Sequence, residues 1–340
     1  MKNQANDILP VIPSANNFNF LRLLFACSVM CNHYSDLTGQ NWWIPVSSPM
    51  AFHGFFFISG FLIVRSFYHS HSLKDYFLKR ARRILPAYIL VVLLCAFGLF
   101  FLSDLSAGQY FSSSVFFKYL AANLSFMNFI QPSLPGVFTG NLETAVNGSL
   151  WTIKVEILLY LSVPLIVYLV RRFDKRIVFL LIYLFAIIFN RSMNYLHLIT
   201  GNDIYEMLAR QVFFQASFFV VGAFLLFYFH FFFKYRLVLL LTAIPFILFR
   251  SNEIISWFFP LAWGIVIFTI AFSLPFFNKA GKYGDFSYGV YLFHFPVIQV
   301  IAFLNFCESN NLFAFSLVIF LTFFLAWLSW HLLEKRFLKR

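Results

Sequence analysis

Residues 51–62 read Ala-Phe-His-Gly-Phe-Phe-Phe-Ile-Ser-Gly-Phe-Leu. His53 and Ser59 are the only hydrogen-bonding side chains in this run, and its apolar character carries on to about residue 69. A helix needs about 20 mostly apolar residues to cross a bilayer, and 51–69 meets that length. Working outward, comparable stretches lie at 18–36, 84–103, 149–170, 177–191, 210–230, 237–250, 255–276, 286–306 and 312–333. The chain therefore reads as all-α: a polytopic membrane helix bundle of about ten transmembrane helices. It forms a single domain over 1–340, with 1–17 ahead of the first span and 334–340 as a tail. The fifth and seventh stretches are short, which predicts tilted or partly buried segments. No soluble domain, internal repeat or low-complexity tail is visible.

Composition supports lipid as the solvent. The chain is 61% hydrophobic and 11% charged, and Phe alone supplies 52 residues. Soluble domains carry about 25% charged residues, so this one lacks the polar surface to stand in water. The net charge of +12 does not point to nucleic acid, because the cations sit in short runs between apolar stretches. Cys27, Cys31, Cys95 and Cys307 have no metal-ligand spacing, so neither a disulfide framework nor a bound metal is expected. The first 17 residues carry only Lys2 as a cation. The stretch that follows holds Arg22 and lacks a small-residue cleavage site, so it reads as a retained helix.

The charges also set orientation. With the N-terminus in the cytoplasm, nineteen of the 25 Lys and Arg residues fall inside. They are Lys2, the group from Arg65 to Arg83, the group from Arg171 to Arg176, Lys234 with Arg236, Lys279 with Lys282, and the four basic residues of the tail. Lys118, Arg191, Arg210 and Arg250 fall outside, and Arg22 and Lys154 lie within spans. Short cytoplasmic loops carry an excess of Lys and Arg, and shifting the count by one span would scramble the bias. Both termini are expected in the cytoplasm. The longest outside segment, 104–148, predicts an interfacial or re-entrant helix over Val115–Ile130 and then a loop.

Ionisable groups at membrane depth are costly and mark function. Arg22 and His33 are eleven residues apart in the first span, which is about three helical turns and roughly 16 Å. Both project from nearly one face, Arg22 near the inner mouth and His33 in the outer half. Arg22 snorkelling to phosphates and His33 packing at the interface is the bland alternative, and it leaves the shared face unexplained. Ser59-Gly60 suits close helix packing or space beside a ligand. Arg80 and Arg83 share a helix face and make either a phosphate clamp or a topology and lipid signal. In the fourth span, Ser149-Leu150-Trp151-Thr152 leads to Lys154 and Glu156, which face different sides. Glu156 lies more than a turn inside and needs an internal partner or neutralisation. Asp285 is placed to cap the helix that carries His294, and Glu334 sits among basic residues at the inner interface.

These motifs together resemble the acyltransferase 3 family of membrane acyltransferases, which includes enzymes that O-acetylate bacterial O-antigen and other surface polysaccharides. The resemblance covers nearly the whole chain in order. It rests on the Arg22-to-His33 spacing, Phe56-Phe57-Ile58-Ser59-Gly60-Phe61-Leu62, Arg80-x-x-Arg83-Ile84-Leu85-Pro86, Ser149-Leu150-Trp151-Thr152 through Glu156 and Tyr160, and Asp285-x-Ser287-Tyr288-Gly289-x-Tyr291-Leu292-x-His294-x-Pro296. Glu334-Lys335-Arg336-Phe337 departs from the Glu-x-Pro common at the end of the family.

The resemblance implies transfer of an acyl group, usually acetyl from acetyl-CoA, to a hydroxyl of a cell-surface or lipid-linked glycan. No cofactor is bound beyond that donor substrate, and the implied location is the bacterial inner membrane. It also implies that Arg22, His33 and the Arg80/Arg83 pair are needed. His33 is then the expected base, matched to physiological pH, with Arg22 and Glu156 as further catalytic candidates. Arg80 and Arg83 hold CoA phosphates. Ser59, Gly60, Ser149, Trp151 and His294 line the substrate and oxyanion region. Either Glu156 or Asp36 stands ready to orient the imidazole. The competing readings are a transporter or flippase for a lipid-linked saccharide, and a non-catalytic sensor.

Overall fold

The computed structural model of the protein describes residues 9–282 and 284–338, and no strand occurs among the described residues. Lys2, Lys339 and Arg340 of the charge count lie outside the described residues. The helices are α1 (Phe18–Thr38), α2 (Ser48–Tyr68), α3 (Leu73–Gly98, extended by a 3-10 turn over Leu99–Leu102), α4 (Ala107–Ser112) and α5 (Ser114–Leu124). A 3-10 turn over Gly148–Leu150 leads into α6 (Trp151–Arg172). Then come α7 (Lys175–Thr200), α8 (Asp203–Ala209), α9 (Val212–Phe227), α10 (Phe229–Leu248), α11 (Phe259–Ser273), α12 (Ser287–Phe303), α13 (Phe306–Ser309) and α14 (Asn311–Ser329). A π-helical turn over Trp330–Glu334 leads to α15 (Lys335–Leu338).

Each of the ten apolar stretches falls on a helix. Eight of these helical segments are long and apolar enough to cross a membrane. The other two are α1, whose 21 residues include Asn19, Arg22, Asn32, His33 and Asp36, and α12, which has 17 residues. These are the two helices that carry His33 and His294: α1 falls short by its polar residues and α12 by its length.

Several boundaries move. The third helix starts at Leu73, so Lys79 to Arg83 ride on its early turns and do not sit in a loop. Ser72 Oγ accepts from the Asp75 amide at 3.1 Å, and the Asp75 carboxylate accepts from the His71 amide at 2.9 Å, a local cap that starts the helix there. The fifth and seventh stretches are full helices of 26 and 20 residues. α7 starts on Asp174, stops at Gly201 with φ +66°, and keeps its polar end helical because Asn190 Nδ2 donates to the Ala209 carbonyl at 2.9 Å. The 104–148 segment holds two short helices, not one. Ser113 ends α4 and caps α5, and α5 ends at Leu124, well before residue 130. Eleven residues span about 16 Å, too short to cross a bilayer.

The chain folds into two compact units. The first takes the residues up to Arg22, Phe52–Phe77 and Val155–Lys282; the second takes Leu23–Ala51, Leu78–Lys154 and the residues after Lys282.

In the first unit, glycines bring backbones together. A Cβ on Gly60 of α2 would lie 1.9 Å from the Phe219 carbonyl oxygen, and one on Gly222 of α9 would lie 2.1 Å from that of Phe57. Such contact is the usual device for packing helices in lipid. Rings fill the space beside it: Phe61, Phe229, Phe268 and Phe272 pack within 6.4 Å centroid to centroid, which is where part of the phenylalanine excess goes. Gly222→Val is expected to destabilise the protein by about 1–3 kcal/mol through overpacking, read as a lower unfolding temperature in detergent; a wild-type temperature would show that the crossing is loose.

Prolines inside spans free a carbonyl one turn back, and in lipid that carbonyl needs a new donor. Pro164 of α6 frees Tyr160, whose carbonyl accepts from Tyr76 Oη at 3.0 Å within the first unit. Pro296 of α12 frees Leu292, whose carbonyl accepts from Asn147 Nδ2 at 2.9 Å within the second.

The second unit is organised around α12 and α14. A Cβ on Gly289 would lie 2.8 Å from Ala326 Cα. Met30 and Tyr34 of α1 pack with Phe295 and Ile298 of α12 and with Phe315 and Val318 of α14. Gln299 straps the preceding loop onto α12: its Nε2 donates to the Glu143 and Ala145 carbonyls at 2.7 Å, and its Oε1 accepts from Asn141 Nδ2 at 2.9 Å.

Candidate active site

Helix α1 presents His33 and α12 presents His294, both in the second unit. His33 Nδ1 lies 2.8 Å from His294 Nε2. The two rings are within 15° of coplanar, with centroids 5.1 Å apart. The Phe295 ring stands edge-on to His33 at 5.2 Å. His294 has no exposed surface, and its Nδ1 lies 3.0 Å from the Val290 carbonyl oxygen one turn back on α12. His33 is half-buried. The group bonded to the His33 ring is thus another imidazole. Asp36, one of the two carboxylates expected to orient it, is exposed at the end of α1.

The start of α6 is built onto α12 beside this pair. Ser149 is buried and its Oγ donates to Asn147 Oδ1 at 2.6 Å. Tyr291 Oη lies 2.7 Å from Thr152 Oγ1 and donates to the Ser149 carbonyl at 3.2 Å. The Tyr291 and His294 ring centroids are 5.8 Å apart. Buried polar groups must be hydrogen-bonded, and here they bond one another. Ser149, expected in the oxyanion region, gives its hydroxyl proton to Asn147 here. Trp151 is the half-buried first residue of α6.

A second polar cluster lies at the start of α12. Arg83 of α3 donates to Asp285 Oδ2 at 2.6 Å and to Glu334 Oε2 at 3.4 Å. The Tyr288 and Trp330 rings flank its guanidinium, at 5.6 and 5.8 Å. Glu334 is buried, and Ser329 Oγ donates to its Oε1 at 2.9 Å across the π-helical turn. π-Helical turns often mark functional positions because they re-aim a side chain. Asp285 does not cap α12 through the backbone. Its Oδ1 accepts from the Ser287 hydroxyl at 2.5 Å. Asp285 lies two residues before the first residue of α12, and His294 is seven residues into that helix, about 10 Å along its axis. Arg80, one turn before Arg83 on α3, is half-buried.

The first unit holds Arg22, Ser59, Gly60 and Glu156. Arg22 is half-buried on the uninterrupted helix that continues to His33. The carboxylate Glu156 has its internal partners: Tyr160 Oη donates to its Oε1 through a short bond, and Ser59 Oγ donates to the same oxygen at 3.4 Å. Gly60 serves the backbone contact described above, which leaves no room for a ligand on that side.

The structure thus pairs His33 with His294, Ser59 with Glu156, and Arg83 with Asp285 and Glu334. Sequence reasoning missed the last two as partners of Arg83. It also missed Asn147, although a proline within a span is a signal that some donor must reach the freed carbonyl.

A family model described as an acyltransferase domain matches residues 16–331. The chain is 28% identical over 346 residues to the O-acetyl transferase of Shigella phage Sf6, covering 96% of this chain and 97% of that protein. It is 31% identical over 173 residues to nodulation protein 10 of Rhizobium leguminosarum bv. viciae, covering 47% of this chain and 46% of that one. No solved structure matches it. With the family match spanning nearly all of a multi-helix membrane protein, the chain belongs to the acyltransferase 3 family and is an acyltransferase.

Proposed function

We propose that the protein transfers an acetyl group from acetyl-CoA to a hydroxyl of a cell-surface or lipid-linked glycan, in the bacterial inner membrane, with ten spans and both termini cytoplasmic. The observation that carries this reading is the imidazole pair. His33 is a half-buried base on a helix that also bears Arg22, and its ring is held by one hydrogen bond. The full-length relationship to a phage protein named O-acetyl transferase supports acetyl as the group moved.

His33 takes the proton of the acceptor hydroxyl as its oxygen attacks the thioester carbonyl. The carbon–oxygen bond forms, the carbon–sulfur bond breaks, and the proton passes from the imidazolium to the CoA sulfur. The products are the acetyl ester and CoA thiol. No protein nucleophile is required. Arg80, one turn before Arg83 on α3, is assigned to the donor phosphates. Glu156 takes no part in the proposed reaction.

Incubating membranes containing the protein with labelled acetyl-CoA should add one acetyl group to the glycan, seen by mass. Translocation of a lipid-linked saccharide without acylation would establish the transporter reading instead. Arg80→Ala is expected to raise the KM for acetyl-CoA roughly tenfold, the worth of one charge-assisted hydrogen bond of about 1.5 kcal/mol. An unchanged KM would remove Arg80 from the donor site.

A further inference from the structure

We infer that His294 is a positioning residue that fixes the tautomer of His33, so that His33 Nε2 is the atom that takes the acceptor proton. This inference rests on the acetyl-transfer reading above and assigns a role inside the same site.

The argument follows the hydrogens along α12. A carbonyl oxygen only accepts, so the 3.0 Å contact between His294 Nδ1 and the Val290 oxygen places a proton on Nδ1. His294 has no exposed surface, and an uncompensated cation there would carry a large desolvation cost. The ring is therefore neutral, and its Nε2 carries a lone pair. That lone pair faces His33 Nδ1 at 2.8 Å, so His33 must bear its proton on Nδ1. A neutral His33 then has its own lone pair on Nε2. Which nitrogen of a histidine is basic is set by the bond the other one makes, and here the bond is traceable to a main-chain oxygen.

The arrangement parallels the acid of a Ser-His-Asp triad, with one difference. A neutral imidazole orients the base without pairing with the imidazolium charge. The cation that forms on His33 is left without a counter-ion from His294, which favours rapid delivery of its proton to the leaving sulfur.

The other titratable side chains of α1 and α12 are Arg22, Cys27, Cys31, Tyr34, the exposed Asp36, Tyr288 and Tyr291, with Cys307 on α13. Tyr34 bonds Asn311 and Cys307, and Tyr291 bonds Thr152 and the Ser149 carbonyl. Among the described residues the hydrogen-bond partner of His33 Nδ1 is His294 Nε2, which sets its proton.

Three variants test this. The amide oxygen of Gln falls near the position of His Nε2, whereas Asn is too short to reach it and Phe has no acceptor. His294→Phe and His294→Asn are expected to lower kcat on the order of 10²–10⁴-fold, as tautomer control does in triads, with the KM for acetyl-CoA held within about twofold. His294→Gln should keep kcat within about tenfold of wild type. In a His33→Ala background, His294→Phe should cost nothing further, because the two residues act as one unit.

A Phe variant as active as wild type overturns the inference. So does a Gln variant as impaired as Phe at equal membrane levels, or a further loss in the double variant. If Phe fails to accumulate, the Gln-against-Asn comparison and the double variant made with Asn still decide. Wild-type protein that transfers no acetyl group defeats the underlying reading before any variant is compared.

Discussion

His33→Ala is expected to lower acetyl transfer by about 10²–10⁴-fold, the usual contribution of a positioned general base, while the protein still inserts at wild-type level. The acceptor is a sugar hydroxyl, which is a weak nucleophile until its proton is removed. Among the described residues His33 is the imidazole that meets His294, so no second ring there replaces it. The structural cost is modest. Removing the ring leaves His294 Nε2 without its donor, a loss of about 1–3 kcal/mol for a buried acceptor left unpaired, and the edge contact with Phe295 is lost. Initial rates with labelled acetyl-CoA, normalised to the amount of inserted protein, measure the effect. Full transfer by the alanine variant would remove His33 from the mechanism.

Arg83→Met should produce the largest loss of stability, about 3–5 kcal/mol. The guanidinium bonds two carboxylates, and Glu334 is almost wholly buried, so removing the cation strands two charges. Lys at 83 recovers only part, because one ammonium cannot reproduce the planar fork that reaches both acids. Neutralising the acids along with the cation, as Arg83→Met with Asp285→Asn and Glu334→Gln, should return most of the lost unfolding temperature. A single Arg83→Met variant with wild-type stability would show that the three groups are not held together. Because Asp285 immediately precedes α12, which carries His294, loosening this clamp should also reduce transfer, with the defect scaling with temperature.

The membrane character was legible at once. Phe-rich stretches such as 51–62 permit no other solvent, and each of the ten stretches falls on a helix. Boundaries were harder because capping depends on single residues: Ser72 and Asp174 start helices inside runs of charge that look like loops. The resemblance carried by Arg22, His33 and the later motifs placed the chain in its family before any geometry was known.

What the sequence could not do was say which polar residues meet. His33 and His294 are separated by 261 positions, and only the packing of α1 against α12 brings their rings into one plane. The same holds for Arg83, which reads as half of a phosphate clamp until Asp285 and a Glu334 turned inward by a π-helical step are found upon it. Ser59, Gly60 and Ser149 read as ligand contacts because small and hydroxyl residues serve both packing and binding; the contacts they make, Gly60 on the Phe219 backbone, Ser59 to Glu156 and Ser149 to Asn147, are visible only in the tertiary structure. Hydrophobic patterning is a local property that lipid enforces residue by residue, so the chain alone determines it. Hydrogen-bond partnership at membrane depth is a property of pairs, and only the folded bundle chooses the pairs.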